Sequence, residues 1–492
     1  MKRVLAIDFG ASSGRAIVGE FDGERVNMKE IHRFSNDPVI LGDTMYWDVL
    51  RLFHEIKQSL IKAKPYNVES VAIDTWGVDF GLIDKDGRLI DNPVHYRDAR
   101  TNGMLKEAFE LFPEEDFYKA TGNQFMEINT AFQLLAVKKY RPELLSRADK
   151  VFLMPDLFSY FLTGNKKAER SIASTTQLFD QNSKDWSDEA LKALGIDRAL
   201  MPEIVESGSV VGTISSTLCE ELDIKPIKVI AVCGHDTQSA LVAAPAKESD
   251  FAFLSSGTWS LLGTELDAPI INEKSLELNV TNEQGYGGKT SFLKNIIGLW
   301  LIQESRRQWI REGIEYSFAE LEQQAKEAEP FKCFIDPDDP VFTPAGNIPK
   351  RIKNYCEKTG QYIPQTTGEI MRCIYESLAL KYRLAIGELE ECTGKKFGTL
   401  YMIGGGTKDK FLSRLTASCC NITVSSGPVE ATSLGNILIQ LMAQGEIDGL
   451  ANAREIVRAS EKITAFEPEN PSDWDEAFER YKAIIQRGDK NA

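Results

Sequence analysis

Two serine- and glycine-rich turns, each directly after a short apolar run, constrain this chain more than any other feature. They lie in Ile7-Asp8-Phe9-Gly10-Ala11-Ser12-Ser13-Gly14-Arg15 and in Phe251-Ala252-Phe253-Leu254-Ser255-Ser256-Gly257-Thr258. Apolar runs of this length predict buried strands, and the small residues after them suit a loop pressed against phosphates. The acid at the end of the first run is suited to hold a hydrated cation. A plain hairpin is the alternative for either Ser-Ser-Gly turn alone, whereas the pair indicates an enzyme that uses ATP.

The net negative charge of the chain argues against a broad surface that binds nucleic acid. The 492 residues carry a net charge of −16, with a pI of about 5.0, and no nucleic-acid partner is expected. This length predicts two or three domains, each with its own core. An anionic substrate such as ATP then needs local help from backbone N–H groups, a helix N-terminus or a divalent cation.

No segment of the sequence indicates a membrane or secretory protein. The longest apolar runs stay below the roughly 18 residues that cross a bilayer, and the opening run is too short for a signal peptide. The eight cysteines show no Cys-x-x-Cys spacing and no zinc-like pairing with the four histidines. We therefore expect a cytoplasmic protein, without a membrane partner, whose cysteines are mostly small packed thiols.

Hydrophobic periodicity predicts an α/β protein. Apolar runs predict strands at 4–7, 71–73, 228–233 and 251–254, and a last strand at 400–403. Helical spacing is found at 47–60, 129–140, 154–163, 296–311, 315–328, 367–391 and 429–444. The break near 240–250 divides the chain into predicted domains at 1–245 and 246–470, followed by a C-terminal helix or tail at 471–492. A strand and turn opening each half suggests a duplication, with the active site between the halves.

Asp236 is the best candidate for the chemistry. It lies in Gly234-His235-Asp236-Thr237, between an apolar strand and an apolar helix, where ligands bind in open α/β sheets. A carboxylate there is suited to accept a hydroxyl proton during phosphoryl transfer. The alternative is that Asp236 only caps the helix.

Three further candidates each have a structural alternative. The glycines 404–406 suit close approach of a base or ribose, or else a tight turn. Gly77 suits a sugar approaching the backbone with Trp76 stacked on it, although Trp76 is equally suited to the core. Asn295 is expected at the opening of an amphipathic helix, where helix capping is the alternative.

Other enzyme classes lack their motifs. Gly288-Lys289-Thr290 resembles the end of a Walker A loop, but residue 283, where the partner glycine would stand, is Glu283. The sequence also shows no G-x-G-x-x-G in a βαβ setting, no Ser/His/Asp triad and no zinc motif.

With these motifs the chain resembles the FGGY carbohydrate kinases of the actin-like ATPase superfamily, and the likeness covers nearly its whole length. The fold implied is two-lobed and ribonuclease H-like, each lobe a mixed sheet flanked by helices, with the active site in the interlobe cleft. The motifs that carry the likeness include Asp74-Thr75-Trp76-Gly77-Val78-Asp79-Phe80, Gly234-His235-Asp236-Thr237, Leu293-Lys294-Asn295-Ile296, Gly404-Gly405-Gly406 and Gly427-Pro428-Val429-Glu430-Ala431-Thr432-Ser433.

The resemblance also implies roles for particular residues. Asp236 is the expected proton acceptor, and Asp8 is expected to orient hydrated Mg²⁺. The positions expected to contact ATP are Ala11, Ser12, Ser13, Gly14, Arg15, Thr258, Gln303 and Gly405. The positions expected to bind the sugar are Gly77, His235, Asp236, Thr237 and Asn295.

The implied activity is phosphorylation of a ketose by ATP. Residues 74–80 together with His235-Asp236-Thr237 favour L-rhamnulose, phosphorylated at its 1-hydroxyl in L-rhamnose catabolism by a monomer or homodimer. The alternatives are a kinase for L-fuculose, L-ribulose or D-xylulose, and a nucleotide-dependent sugar sensor that has lost its chemistry. A chaperone-like or actin-like ATPase leaves the sugar-side motifs unexplained.

Overall fold

A computed structural model describes residues 1–489, so the last three residues of the predicted tail 471–492 lie outside the described part of the chain. The backbone forms two compact units, each assembled from three segments. The first unit comprises Met1–Lys247, Glu265–Leu293 and Glu430–Glu461. The second unit comprises Glu248–Thr264, Lys294–Val429 and the chain from Lys462 onward. The predicted domains are continuous in sequence, whereas each of these units combines three segments that are separated in the sequence.

The strands are numbered in chain order. They are β1 Lys2–Phe9, β2 Ser13–Phe21, β3 Val26–Ser35, β4 Val39–Leu41, β5 Thr44–Tyr46, β6 Ser70–Thr75, β7 Phe80–Asp84, β8 Ala148–Leu153, β9 Lys167–Glu169, β10 Phe179–Asp180, β11 Asp185–Trp186, β12 Glu203–Val205, β13 Val210–Thr213, β14 Lys228–Ile230, β15 Ala252–Ser256, β16 Trp259–Leu266, β17 Thr281–Gln284, β18 Thr290–Ile297, β19 Thr399–Ile403, β20 Thr423–Ser426 and β21 Thr464–Phe466.

The α-helices are numbered in the same way. They are α1 Val49–Ala63, α2 Met104–Leu111, α3 Glu114–Thr121, α4 Thr130–Tyr140, α5 Pro142–Arg147, α6 Met154–Thr163, α7 Arg170–Ala173, α8 Asp188–Leu194, α9 Ser216–Leu222, α10 Asp236–Val242, α11 Glu273–Glu277, α12 Trp300–Arg311, α13 Phe318–Glu327, α14 Ile348–Lys358, α15 Thr367–Thr393, α16 Lys410–Cys420, α17 Ala431–Ala443, α18 Gly449–Ser460 and α19 Asp473–Asp489.

The first unit is built on a mixed six-stranded sheet in the order β13-β14-β6-β1-β2-β3. β1 lies near its middle, parallel to β6 and antiparallel to β2, and its residues from Val4 onward are buried. The apolar faces of α1 and α6 pack against this sheet, and α10 and α17 contact β6. A second core, around the antiparallel pair β7 and β8, contains apolar residues of α2, α3, α4 and α8.

The second unit contains the strands β16-β15-β19-β20-β21 in this order. β15, β19 and β20 are parallel, whereas β16 and β21 are antiparallel to their neighbours. The 27-residue helix α15 begins with a capping box between Thr366 and Glu369, and it packs against α13 and α16. Mixed sheets flanked by helices in both units confirm the predicted α/β fold class.

Several predicted elements are wrong at their ends. The strand predicted at 228–233 ends at Ile230, because the chain leaves the sheet before α10. The strand predicted as the last one is followed by β20 and β21, which are too short to give a strand pattern in the sequence. Among residues 1–489, no helix is long and apolar enough to cross a membrane.

Candidate active site

Three carboxylates come to one edge of the sheet in the first unit. β1 and β6 are parallel and place Asp8 opposite Asp74. After β14 the chain returns to β6, where the Thr75 N–H donates to the Gly234 carbonyl at 2.9 Å, and α10 then begins with Asp236. Ligands bind at this edge of open α/β sheets because loops and helix ends converge there.

The pKa of each of these carboxylates is raised, first of all by burial. Burial raises the pKa of Asp8 to about 6, Asp236 adds to the shift, and Arg15, with its Nε 3.5 Å from Asp8 Oδ2, opposes it. The pKa of Asp74 is raised well above its ordinary value by burial and then by Asp8. Burial likewise raises the pKa of Asp236, against the effect of His235. A cation bound here would relieve this repulsion.

The oxygen atoms at this edge fit a divalent cation. Ser433 Oγ donates to Asp8 Oδ2 at 3.0 Å, and Asn436 Nδ2 donates to Asp74 Oδ2 at 2.6 Å. Asp74 Oδ1 is buried and has no hydrogen-bond partner among the described residues. Mg²⁺ prefers oxygen ligands and keeps several waters, so the residues present suit a hydrated Mg²⁺ oriented by Asp8.

The turn after β1 is held by hydrogen bonds from one asparagine. The Asn36 N–H donates to the Ser12 carbonyl at 3.0 Å, and Asn36 Nδ2 donates to the Gly10 carbonyl at 2.9 Å. These bonds fix the backbone on either side of Ala11. The expected ATP contacts Ala11 and Ser12 therefore lie in a turn of defined shape, whereas Ser13 already begins β2.

Gly14 and Arg15 lie on β2 and have structural partners of their own. A Cβ on Gly14 would come within 2.3 Å of the Phe34 ring, so this glycine is needed for β2 and β3 to pack. The Arg15 guanidinium pairs with Glu430 and lies beside Asp8.

Gly77 lies in a strained loop after β6. The next residue, Val78, has a φ of 65°, which is rare for a β-branched side chain. Thr130 Oγ1 donates to the Val78 carbonyl at 2.7 Å, and a Cβ on Gly77 would meet Thr175 Oγ1 at 3.4 Å. Strain of this kind is concentrated at functional sites, which supports a binding role for the loop.

Trp76 belongs to the core. It is 5% exposed and donates its indole N–H to Asp79 Oδ2 at 2.9 Å, and Trp47 donates to the same oxygen at 2.6 Å. Gln133 Nε2 donates to Asp79 Oδ1 at 2.9 Å. Burial raises the pKa of Asp79 to about 6 despite these donors. Of the two interpretations of Trp76, the structure thus favours packing over stacking on a sugar.

His235 and Thr237 flank Asp236 at the start of α10. His235 occupies the cap position of this helix, so Asp236 is its first residue and not its cap. Thr237 Oγ1 donates to Asp236 Oδ1 at 3.2 Å, and His235 Nε2 lies 3.6 Å from the same oxygen. The Asp236 side chain is 30% exposed, so its carboxylate can be reached by a substrate.

The predicted ATP contacts of the second unit meet at one corner. Thr258 Oγ1 donates to Gln303 Oε1 at 3.2 Å. Because β15 and β19 are parallel neighbours, the glycine turn after β19 lies beside the Ser-Ser-Gly turn after β15. A Cβ on Gly406 would come within 2.0 Å of Ser256 Oγ, whereas one on Gly405 would meet nothing within 4 Å. Gly405 thus borders open space.

Asn295 does not open a helix. It lies within β18, which continues to Ile297, and α12 begins only at Trp300. The helix predicted from residue 296 led to this error, because an apolar run as short as the one around Asn295 cannot be assigned to a strand or a helix by periodicity alone. Its expected contact with the sugar stays a prediction.

Three acids at the first unit's edge were not predicted. Asp74 follows an apolar run, as Asp8 does, and this parallel was a usable signal. Glu430 and Glu283 reach the site from distant parts of the sequence, at Arg15 and at His235, where Glu283 Oε2 lies 2.8 Å from Nδ1. Glu430 lies in the family motif of residues 427–433, to which no role was assigned, and Glu283 lies in no such motif.

Comparisons with known proteins identify the family of the chain. The N-terminal domain model of the FGGY family of carbohydrate kinases matches residues 3–243, and its C-terminal domain model matches residues 252–444. The chain belongs to the FGGY family. This confirms the family predicted from the sequence, and carbohydrate kinases take a sugar and ATP as substrates.

Individual relatives of this FGGY kinase match over nearly their full length. It is 40% identical over 484 residues to the rhamnulokinase of Bacteroides thetaiotaomicron, covering 98% of this chain and 99% of the relative. It is 42% identical over 459 residues to the rhamnulokinase of Halalkalibacterium halodurans, covering 93% and 97%. The ligand-bound xylulose kinase from Lactobacillus acidophilus superposes with a TM-score of 0.80 at 17% identity, covering 99% and 98%, and shows the same fold.

Proposed function

We propose that this carbohydrate kinase transfers the γ-phosphoryl group of ATP to the 1-hydroxyl of L-rhamnulose, forming L-rhamnulose 1-phosphate and ADP in L-rhamnose catabolism. The observation that carries the proposal is the 38–42% identity to rhamnulokinases over at least 93% of the chain. The enzyme is proposed to act in the cytoplasm as a monomer or homodimer.

Asp236 accepts the proton in the proposed reaction. The sugar hydroxyl oxygen attacks the γ-phosphorus, and the bond from that phosphorus to the β–γ bridging oxygen breaks, so that ADP leaves. The hydroxyl proton passes to a carboxylate oxygen of Asp236. A primary hydroxyl is too weak an acid to ionise beforehand, and Asp236 is both accessible and flanked by His235, which favours its ionised form.

The other predicted residues position the two substrates. Gly77, His235, Thr237 and Asn295 are proposed to bind the sugar. Residues 11–15 of the first unit and Thr258, Gln303 and Gly405 of the second are each proposed to contact ATP. Mg²⁺ oriented by Asp8 would neutralise the phosphate charge as the transition state forms.

A ketose panel tests the substrate. Purified protein is given MgATP with L-rhamnulose, L-fuculose, L-ribulose or D-xylulose, and ADP release is measured by a coupled assay. We expect kcat/KM for L-rhamnulose to exceed that of the other ketoses by at least about tenfold. A higher value for another ketose would overturn the substrate assignment, and sugar binding without ADP release would favour the sensor.

A further inference from the structure

A buried acid outside the predicted site holds the histidine next to the proposed proton acceptor. Glu283 lies on β17 and is 4% exposed. Its Oε2 accepts a hydrogen bond from His235 Nδ1 at 2.8 Å. On the other side of the imidazole, Nε2 lies 3.6 Å from Asp236 Oδ1. The carboxylate of Glu283, the imidazole of His235 and the carboxylate of Asp236 thus follow one another from β17 to the start of α10.

Glu283 accepts a hydrogen bond from Gln238, which is itself held by Ser291. Gln238 Nε2 donates to Glu283 Oε2 at 3.0 Å, and Gln238 Oε1 accepts from Ser291 Oγ at 2.6 Å. Ser291 is the partner of Glu283 across the β17–β18 hairpin. The side-chain network therefore fixes which oxygen of Glu283 faces His235, and residues that orient another group in this way are commonly needed for its function.

We propose that Glu283 is a positioning residue that orients His235 through Nδ1, so that the Nε2–H faces the Asp236 carboxylate and keeps it ionised and aimed. The proposal rests on the proposed role of Asp236 as proton acceptor. In the neutral imidazole the Nδ1–H bond to Glu283 would leave Nε2 without a proton, and only the imidazolium presents an N–H on both sides. The arrangement therefore requires a protonated His235.

The charges around the imidazole favour this protonated form. Burial lowers the pKa of His235, but Glu283, Asp236 and Glu169 raise it, and the net direction is upward. Asp236 in turn faces His235 and Glu283, and it interacts with Asp8 and Asp74. His235 lowers the pKa of Asp236 more strongly than Glu283 raises it.

The variant Glu283→Gln tests whether the charge of Glu283 keeps His235 protonated. It keeps the size of the side chain and an oxygen that can accept from Nδ1, but it removes the charge. We expect His235 to become neutral at a lower pH, so that Asp236 loses its cationic neighbour. The acid limb of kcat/KM for L-rhamnulose should then move up by about one pH unit, and kcat/KM at the optimum should fall about tenfold.

Two other variants serve as comparisons. Glu277→Gln changes an acid on the same segment whose side chain is 69% exposed, and it should leave the pH profile unchanged. Glu283→Asp retains the charge on a shorter side chain, so it should lower kcat/KM while leaving the acid limb within about 0.3 pH units of the parent. Glu283→Asp also keeps the proposal testable if Glu283→Gln fails to fold.

Histidine NMR reports on the proposal independently of catalysis. The chain contains four histidines, and the signal lost in His235→Asn identifies His235 in ¹⁵N-histidine-labelled enzyme. We expect its titration midpoint to fall by about one unit or more in Glu283→Gln. An unmoved midpoint overturns the role of Glu283. A midpoint that falls while the acid limb stays in place shows that Asp236 is not the group behind that limb, which overturns the proposed mechanism instead.

Discussion

The two units contain the same arrangement of strands at their candidate sites, but with different chemistry. In the first unit, β1 is antiparallel to β2 and parallel to β6, and in the second, β15 is antiparallel to β16 and parallel to β19. In both, the first strand ends in a small-residue turn. This agrees with the duplication suggested by the sequence.

The two candidate sites differ in the charge of their side chains. The first corner is formed by Asp8, Asp74 and Asp236, and the second by residues 255–258, Gln303 and residues 404–406. At the first corner, Asp8 and Asp74 are buried. Burial raises the pKa of both, Asp236 adds to each shift, and Asp8 raises the pKa of Asp74 further. At the second corner, the groups are the hydroxyls of the Ser-Ser-Gly turn, the Thr258–Gln303 pair and the glycines 404–406. The same backbone arrangement can therefore serve two purposes. Acids at it suit cation and proton chemistry, whereas neutral groups at it suit nucleotide recognition.

The largest expected effect comes from Asp236→Asn. This change removes the proton acceptor but keeps the shape of the side chain, so kcat should fall by roughly 10²–10⁴-fold. Steady-state ADP release with saturating L-rhamnulose measures it. Near-normal turnover would remove Asp236 from its role and the first corner from the chemistry.

Buried acids in the first unit should also make its stability depend on pH. The pKa of Asp79 is raised to about 6, above its value in the unfolded chain. Its contribution to stability is therefore complete below about pH 4 and is lost as the pH rises through 6, by about 3 kcal/mol for a shift of about two units. Between pH 4.5 and 7, the melting temperature of the parent should fall relative to that of Asp79→Asn.

Thermal unfolding followed by circular dichroism tests this difference. Asp223→Asn, at a fully exposed side chain, is the control and should follow the parent at every pH. If the melting temperatures of Asp79→Asn and of the parent change in parallel from pH 4.5 to 7, the pKa of the Asp79 carboxyl is not raised as described.

The smallest effects concern the glycines of the second corner. Gly406→Ala would place a methyl group 2.0 Å from Ser256 Oγ, so it should destabilise the fold by about 1–3 kcal/mol and raise the KM for ATP. Gly405→Ala borders open space and should leave the melting temperature unchanged while raising the KM for ATP about tenfold. Equal melting temperatures for the two variants would contradict the described packing.

The sequence predicted those parts of the fold in which a local pattern coincides with burial. The helices α4 and α6 match the predicted 129–140 and 154–163 closely: α6 has an apolar face toward a core, and α4 is buried on every side over residues 130–137. β20 and β21 were missed, since they have only four and three residues, too few to show an alternation of apolar and polar positions. Such strands are defined by neighbours distant in sequence.

Residues of the candidate site could be predicted only where they lie in a recognisable motif. Asp8, Asp236 and the Thr258–Gln303 pair lie in segments with recognisable composition. Asn295 was assigned to a helix because the short apolar run of β18 does not distinguish a strand from the start of the following helix. The partners Glu283 and Ser433 come from segments that return to the first unit late in the sequence, and no local pattern records which strand they will meet.

Calorimetric titration of ADP into Asp236→Asn and Thr258→Val tests the division of roles between the two corners most directly. Asp236→Asn should bind ADP within about twofold of the parent, whereas Thr258→Val, which removes the hydroxyl bonded to Gln303, should bind it about tenfold more weakly. The account is contradicted if Asp236→Asn weakens ADP binding as much as Thr258→Val does.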